Sequence, residues 1–234
     1  MMNNTVAIAV DGPSGAGKSS LSKRCAKAFG FMYVDTGAIY RTVGLAALRR
    51  GIDRKDSEKI SGLLPELSIE LKYNEAGEQR MLLNGEDVSD EIRKPEVSIC
   101  ASDVSSLPVV RAFLMDMQRS LALRYNVIMD GRDIGTVVLP NADLKIFLTA
   151  SAEARAQRRW KELQQKGIES DYLSVLTDIR YRDEQDSSRA AAPLRKAEDA
   201  VELDTTELDF EESFAAMSQL IIEKLCLSPA VEEA

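Results

Sequence analysis

A chain of 234 residues is long enough for one domain with an insertion or for two small domains. Its formal net charge of -8 argues against a general nucleic-acid-binding surface, because such surfaces are basic. The absence of histidine excludes histidine-assisted nucleophiles and histidine-ligated zinc. Three scattered cysteines, no signal-peptide pattern and no apolar run of about 20 residues predict a soluble cytoplasmic protein with no membrane partner.

Apolar runs and helical spacing alternate along most of the chain. The first part predicts, in order, a strand at 5–10, a helix at 18–29, a strand at 31–34 and a helix at 38–50. The last part predicts strands at 127–130, 144–149 and 201–204, and helices at 152–166, 172–185 and 210–225. Gly30 and Gly51 are predicted to end the first two helices, and Thr36 to cap the second. Such alternation is typical of a parallel sheet with helices on both faces.

The middle of the chain interrupts this alternation. Two strand-like runs, 67–73 and 80–83, are separated by a hairpin turn, a turn-like cluster follows at 84–87, and helices are predicted at 96–106 and 109–124. We interpret residues 63–106 as an inserted subdomain. The core domain is then 1–62 with 107–227, and 228–234 is a frayed tail.

A phosphate-binding motif follows the first predicted strand. The pattern G-x-x-x-x-G-K-[ST] is matched by Gly12, Pro13, Ser14, Gly15, Ala16, Gly17, Lys18 and Ser19, with Ser20 next. Glycines let backbone N–H groups converge on phosphate oxygens, Lys18 can reach the β- and γ-phosphates, and Ser19 can bind Mg²⁺. The alternative, a plain glycine-rich turn between a strand and a helix, fits the strand-motif-helix order less well.

The motif alone does not identify a reaction. A GTPase-type switch would also carry D-x-x-G and N-K-x-D, and neither pattern occurs in the sequence. A phosphotransferase would instead carry a second, arginine-rich anion site for its acceptor.

Charged residues stand where such a second site is expected. The segment VIMDGRDIG (127–135) ends an apolar strand in Asp130, Arg132 and Asp133, although a solvated turn is the alternative interpretation. Other arginines occur in DTGAIYR (35–41), at Arg111, in RAQRR (155–159) on one predicted helix face, and in the series Arg182, Asp186 and Arg189, which share a face only if their helix extends through Arg189. A phosphate monoester acceptor is mostly dianionic at neutral pH, so no general base is needed.

Taken together, these segments resemble the bacterial cytidylate (CMP) kinases over about residues 5–225. The resembling segments are DGPSGAGKSS (11–20), DTGAIYR (35–41), NGEDVSDEIR (84–93), VSICASDVSSLPVVR (97–111), DGRDIGTVVLP (130–140), RAQRR (155–159) and RDEQDSSRAAAPL (182–194). The resemblance implies an α/β P-loop nucleoside-monophosphate-kinase fold. That fold has a five-stranded parallel core sheet flanked by helices, an inserted nucleotide-binding subdomain and a helical lid, here about 155–190.

The resemblance also implies an activity and a set of site residues. The activity is transfer of the γ-phosphoryl group of ATP to CMP or dCMP with Mg²⁺, by a protein that we expect to be a monomer. The implied CMP-binding residues are Thr36, Tyr40, Arg41, Ser102, Arg111, Arg132, Asp133, Arg182, Asp186 and Arg189. Arg41, Arg132 and Arg189 would hold the CMP phosphate, while Ser102, Arg111 and Asp133 would contact the cytosine edge. Arg182 and Asp186 would lie at the sugar.

For catalysis we expect Lys18, Arg132, Arg182 and Arg189 to act on the phosphates, and Arg158 to bind ATP with the phosphate loop. Ser19 would bind Mg²⁺, with Asp130 or Asp133 as candidates to act through water. Two alternatives stay open from the sequence: another small-acceptor kinase of the UMP/CMP or shikimate type, and a nucleotide-dependent regulatory or binding protein.

Overall fold

The computed structural model describes residues 5–230. In chain order the strands are β1 (Ala7–Asp11), β2 (Met32–Asp35), β3 (Ile69–Tyr73), β4 (Gln79–Leu83), β5 (Glu86–Asp87), β6 (Val127–Gly131), β7 (Leu144–Thr149) and β8 (Val201–Asp204). The helices are α1 (Lys18–Phe29), α2 (Thr36–Arg49), α3 (Ser57–Leu63), α4 (Pro95–Ser105), α5 (Pro108–Arg124), α6 (Ala152–Gln165), α7 (Tyr172–Ser188) and α8 (Phe210–Leu225).

The chain divides into two compact units. The sheet unit contains the residues up to Tyr33 and from Ala122 onward, and the hairpin unit is Val34–Leu121. The predicted subdomain 63–106 lies within the limits of the hairpin unit.

The sheet unit contains a five-stranded sheet in the order β2-β6-β1-β7-β8, to which β2 contributes its first two residues within this unit. The pairs β1–β6, β1–β7 and β7–β8 are parallel, which confirms the predicted parallel sheet. Parallel strands bring their carboxyl ends to one edge, where ligands bind in open α/β sheets. The phosphate motif after β1 and the charged tip of β6 therefore share that edge.

Apolar residues of β1, β6 and β7 form the core of the sheet unit with one face of α1 and α8. Its members include Ile8, Val10, Leu21, Cys25, Ile128, Ile146, Leu148, Met217 and Ile221, all 2% exposed or less. Because the central strands are buried on both faces, they need apolar residues along their whole length.

The hairpin unit combines an antiparallel sheet with packed helices. Strands β3 and β4 pair antiparallel, and β5 pairs with β4. Helix α2 packs against α4 at Gly44, where an added Cβ would lie 3.0 Å from the backbone nitrogen of Ala101. The glycine thus permits a helix–helix approach that a side chain would obstruct.

The structure corrects several details of the sequence interpretation. The predicted cap Thr36 is wrong: Asp35 caps α2 through a side-chain bond to the nitrogen of Ala38, and Thr36 is the first helical residue. Helix α3 was not predicted, and the predicted turn at 84–87 includes the short strand β5. Gly30 ends α1 at φ 67°, as predicted.

The end of α7 also differs from expectation. Helix α7 ends at Ser188, so Arg189 is its C-terminal cap and does not continue the face of Arg182 and Asp186. In the described part of the predicted frayed tail, the nitrogen of Ala230 donates to the carbonyl oxygen of Ala28 over 2.8 Å, and fraying of 228–234 stays a prediction. The rest of that tail, 231–234, lies outside the described residues. Between residues 5 and 230, no single helix has the length and apolarity of a bilayer span, while α4 and α5, bent by 98° at their break, pass that test only as a pair.

Candidate active site

The phosphate loop connects β1 to α1 through three glycines with positive φ angles. Gly12, Gly15 and Gly17 have φ values of 149°, 77° and 90°. A Cβ on Gly12 would lie 1.9 Å from the carbonyl oxygen of Leu148, so no other residue fits there. The loop leads directly into the N-terminus of α1, where unpaired N–H groups and the helix dipole favour an anion.

Lys18 begins α1 with a buried ammonium group. Its side chain donates to the carbonyl oxygen of Pro13 over 2.7 Å, and the residue is 5% exposed. Burial, followed by repulsion from Arg132, lowers the pKa of Lys18 to about 7. Negatively charged phosphate at this position would favour the protonated form.

Asp130, at the tip of β6, is joined to the phosphate loop through Ser19. The Ser19 hydroxyl donates to Oδ2 of Asp130 over 2.7 Å, and the Tyr33 hydroxyl donates to Oδ1 over 3.1 Å. Asp130 is 4% exposed. Hydroxyl and carboxylate oxygens suit Mg²⁺, which usually takes only one or two protein ligands and completes its shell with water and phosphate. The donor set therefore fits the expected metal.

Two backbone N–H groups that follow Asp133 are held by Asp11, the last residue of β1. Both carboxylate oxygens of Asp11 accept backbone N–H groups, from Ile134 at 2.8 Å and from Gly135 at 2.7 Å. These bonds fix the short π-helical turn that begins just after Asp133. Asp133 itself is 4% exposed. Burial raises the pKa of Asp11 to about 6, against the lowering effect of the two N–H groups.

Helix α7 brings a carboxylate to Arg132. The guanidinium Nε of Arg132 donates to Oδ2 of Asp186 over 2.6 Å, and Nη1 donates to the carbonyl oxygen of Gly131 over 3.3 Å. Arg182 is exposed on the same helix, and Arg189 is half-buried just beyond its end. The structure thus brings together two of the predicted CMP-binding residues of the sheet unit, Arg132 and Asp186.

The three arginines of α6 have different surroundings. Arg155 is 4% exposed and forms an ion pair with Asp183. Arg158 donates to the backbone carbonyls of Thr205 and Leu208. Arg159 is paired with Glu162 on its own helix. Sequence spacing placed all three on one helix face but could not show which partner each guanidinium would find.

The hairpin unit carries the remaining predicted CMP-binding residues. Arg41 donates to Oδ2 of Asp35 over 2.8 Å. Arg111 is 6% exposed; its guanidinium carbon lies 5.6 Å from the ring centroid of Tyr40, and its Nη1 donates to the carbonyl oxygen of Ser105. Thr36 is buried at the start of α2, and Ser102 is exposed on α4.

Sequence reasoning missed three residues of the sheet unit that support the candidate site: Asp11, Tyr33 and Asp183. Asp11 could have been noticed, because it is a carboxylate that ends an apolar strand directly before the phosphate loop. Tyr33 and Asp183 carry no local signal, since their partners Asp130 and Arg155 are 97 and 28 residues away in sequence.

A parallel sheet with a phosphate loop after β1, and with arginines at the same edge, defines a P-loop phosphotransferase. The family model for cytidylate kinase matches residues 8–223. The cytidylate kinase of Caldicellulosiruptor bescii is 52% identical over 213 residues, which are 91% of this chain and 94% of that protein. The cytidylate kinase of Exiguobacterium sp. is 49% identical over 222 residues, covering 95% of this chain and 99% of that protein. The chain belongs to the cytidylate kinase family.

Among solved structures, an uncharacterised protein from Eubacterium ventriosum matches 95% of this chain and 99% of its own. The TM-score is 0.50 at 11% sequence identity, so the likeness is one of fold alone.

Proposed function

We propose that this enzyme transfers the γ-phosphoryl group of ATP to CMP or dCMP, giving ADP and CDP or dCDP. The observation that carries the proposal is the link between the phosphate loop and the tip of β6, made by the bond from Ser19 to Asp130. Two residues beyond Asp130, Arg132 supplies a cation at the same edge of the sheet. A donor-phosphate site and a cation for an acceptor phosphate therefore belong to one unit. Family membership supports the identity of the acceptor.

In the proposed reaction, a phosphate oxygen of CMP attacks the γ-phosphorus of ATP, and the bond from that phosphorus to the β-phosphate oxygen breaks to release ADP. The acceptor has a second pKa near ~6, so it is already mostly dianionic at neutral pH and needs no base. The protein contributes position and charge neutralisation. The backbone N–H groups of the phosphate loop and Lys18 would hold the donor, while Arg132, Arg182 and Arg189 would stabilise charge on the transferred and acceptor phosphates.

The remaining predicted contacts belong to the same proposal. Mg²⁺ would be held by Ser19, with Asp130 or Asp133 acting through water, and would neutralise charge on the ATP phosphates. Arg158 stays a proposed ATP-binding residue. To bind a phosphate of ATP, its guanidinium would have to give up its hydrogen bonds to the carbonyl oxygens of Thr205 and Leu208.

The cytosine and sugar contacts are proposed on the family resemblance. Asp133 would accept from the exocyclic amino group of cytosine, with Ser102 and Arg111 also at the base. Arg182 and Asp186 would bind the sugar, with Thr36 and Tyr40 beside the nucleotide. Arg41 would join Arg132 and Arg189 at the CMP phosphate.

We also propose that the enzyme works as a cytoplasmic monomer. Its cysteines Cys25 and Cys100 are buried free thiols, which suits a reducing compartment. Light scattering of the purified protein tests the monomer, and a mass of twice 25.8 kDa would contradict it.

The activity is tested by ADP release from ATP and Mg²⁺ with one acceptor at a time: CMP, dCMP, UMP, AMP or shikimate. We expect the highest kcat/KM with CMP or dCMP. Preference for UMP or shikimate would favour a different small-acceptor kinase. No acceptor-dependent ADP with any of the five would favour a nucleotide-binding protein without phosphotransfer.

A further inference from the structure

Arg155 is a buried arginine that joins three separate segments of the sheet unit. Its Nε donates to the carbonyl oxygen of Ala150 over 2.8 Å, and its Nη1 donates to the carbonyl oxygen of Ser14 over 2.9 Å. Nη1 and Nη2 also donate to the two carboxylate oxygens of Asp183, over 2.9 and 2.6 Å. One guanidinium thus contacts the end of β7, the phosphate loop and helix α7.

The contact with Ser14 orients a donor of the phosphate loop. A trans peptide is planar, so its C=O and N–H groups point in opposite directions. Because Arg155 holds the carbonyl of Ser14, the N–H of Gly15 points away from the guanidinium. The stem of Arg155 supports the same peptide, since a Cβ on Gly15 would lie 3.5 Å from Cβ of Arg155. Arg155 therefore fixes the orientation of an N–H group that belongs to the phosphate motif.

The contact with Asp183 fixes helix α7. Asp183 lies directly after Arg182 and one helical turn before Asp186. Asp186 is bound by Arg132 at the tip of β6. Helix α7 is therefore attached at two successive turns. Asp183 binds Arg155, which supports the phosphate loop, and Asp186 binds Arg132, the predicted cation for the acceptor phosphate.

We propose that Arg155 and Asp183 are positioning residues that couple occupancy of the phosphate loop by ATP to the placement of Arg182 and Asp186 for the acceptor. The proposal rests on the proposed function for the roles of Arg182 and Asp186. Neither Arg155 nor Asp183 has to touch a substrate. Because the Arg155 side chain is 5% exposed, removing its carboxylate partner leaves a buried charge without compensation, and the geometry of both attached segments relaxes.

The chain supplies a matched control on the same two helices. Arg180 of α7 donates to Glu153 of α6 over 2.7 Å, with side chains that are 61% and 57% exposed. This pair also connects α6 with α7, but it does so at the exposed surface and not through the phosphate loop. A general loosening of the two helices would therefore follow from loss of either pair, whereas loss of coupling should follow only from loss of Arg155–Asp183.

The experiment measures the Kd of CMP by calorimetry, with and without a saturating non-hydrolysable ATP analogue and Mg²⁺. The ratio of the two Kd values reports the coupling between the sites. For the wild type we expect CMP to bind about 10-fold more tightly with the analogue, which is within the usual range of coupling between sites. In Asp183→Asn we expect the ratio to fall to near 1, while Glu153→Gln keeps the wild-type ratio. The Tm of each variant is measured in parallel.

A wild-type ratio of 1 would overturn the proposal, and so would an unchanged ratio in Asp183→Asn or an equal loss in Glu153→Gln. Should Asp183→Asn fail to fold, Arg155→Lys provides the same test. Lysine keeps a positive charge beside Asp183 but lacks the planar fork that reaches all three segments, so we expect the ratio to fall there too. Failure of the proposed function is a different result, since the wild type would then release no CMP-dependent ADP whatever the ratio is.

Discussion

The guanidinium Nε of Arg132 lies 2.6 Å from Oδ2 of Asp186, so the predicted acceptor-phosphate cation is oriented by a carboxylate from α7. Nη1 of the same guanidinium donates to the carbonyl oxygen of Gly131 over 3.3 Å. An arginine with two of its nitrogens fixed in this way presents its remaining donors in a defined direction, which lowers the entropy lost when a phosphate binds.

We predict that Arg132→Ala lowers kcat for CMP about 100-fold or more, because an ion-pairing donor to a developing phosphate charge is typically worth that much. The Tm is measured in parallel and should fall, because Asp186, whose side chain is 16% exposed, loses its ion-pair partner. Steady-state kinetics with saturating ATP and CMP measure the effect. Arg180→Gln, which removes an exposed arginine of α7, is the control and should keep the wild-type kcat. An unchanged kcat in Arg132→Ala would remove this residue from the phosphate-binding set.

Asp133→Asn should narrow the preference for CMP over UMP. A carboxylate accepts from the exocyclic amino group of cytosine and repels the carbonyl oxygen that uracil carries at the same place, whereas an amide can serve either base. Asp133 is 4% exposed, so the interaction would be made in a poorly hydrated site, where it is stronger. The measured quantity is kcat/KM for CMP divided by kcat/KM for UMP.

The control for this comparison is Asp178→Asn, which neutralises an exposed carboxylate of α7 and should leave the ratio unchanged. If Asp133→Asn and the wild type give the same ratio, Asp133 does not discriminate between the bases.

The sequence was sufficient for features that depend on local patterns. The parallel sheet followed from apolar strands alternating with helices, and the phosphate loop from glycines and Lys18 at fixed spacing. Helices α1 and α8 and strands β7 and β8 were predicted with their observed bounds. In each case the local spacing of apolar residues and glycines was enough to predict the element, although the strand partners are distant in sequence.

Features that depend on distant contacts, on very short elements or on a choice between adjacent side chains could not be predicted in this way. The partner of Arg155 is 28 residues away in sequence, and the partner of Arg132 is 54 residues away. Helix α3 is only seven residues long, too short for a clear periodic pattern. The choice of Asp35 over Thr36 as the cap of α2 reflects competition between two adjacent side chains that both can accept the capping bond.

Gly44→Ala should destabilise the hairpin unit. The new Cβ would lie 3.0 Å from the nitrogen and 3.3 Å from Cα of Ala101, which are backbone atoms and can move only if α4 moves. We expect a loss of about 1–3 kcal/mol in unfolding free energy, the usual cost of overpacking. Since Ala101 precedes Ser102, a predicted base contact, KM for CMP should rise more than KM for ATP. Urea unfolding and steady-state kinetics measure the two effects.

Gly62→Ala is the matched control, because Gly62 is also helical but has no heavy atom within 4 Å of the added Cβ. It should raise the unfolding free energy by about 0.5–1 kcal/mol, the helix-propensity difference between the two residues. Similar stabilisation by Gly44→Ala would show that α2 and α4 do not depend on the close approach.

The raised pKa of Asp11 predicts that its contribution to the stability of the folded protein falls as the pH rises. Burial raises its folded-state pKa from 3.8 to about 6, so the folded protein binds a proton that the unfolded chain has already released in this range. The stability contributed by the protonated group is fully present below pH 3.8 and is lost as pH rises through about 6. The wild type should therefore lose on the order of 3 kcal/mol relative to Asp11→Asn between about pH 4 and pH 7.

The measurement is urea unfolding of both proteins at several pH values across that range, with the difference in unfolding free energy plotted against pH. Asparagine offers one acceptor oxygen to the N–H groups of Ile134 and Gly135, so the variant should be the less stable protein at the acidic end. Its disadvantage should shrink as Asp11 ionises in the wild type. Asp178→Asn, at an exposed site, should give a difference that does not follow this course. If the difference in unfolding free energy between the wild type and Asp11→Asn is constant with pH, Asp11 has the same pKa in the folded and unfolded chains. The two hydrogen bonds from backbone N–H groups would then offset the full cost of burying its charge.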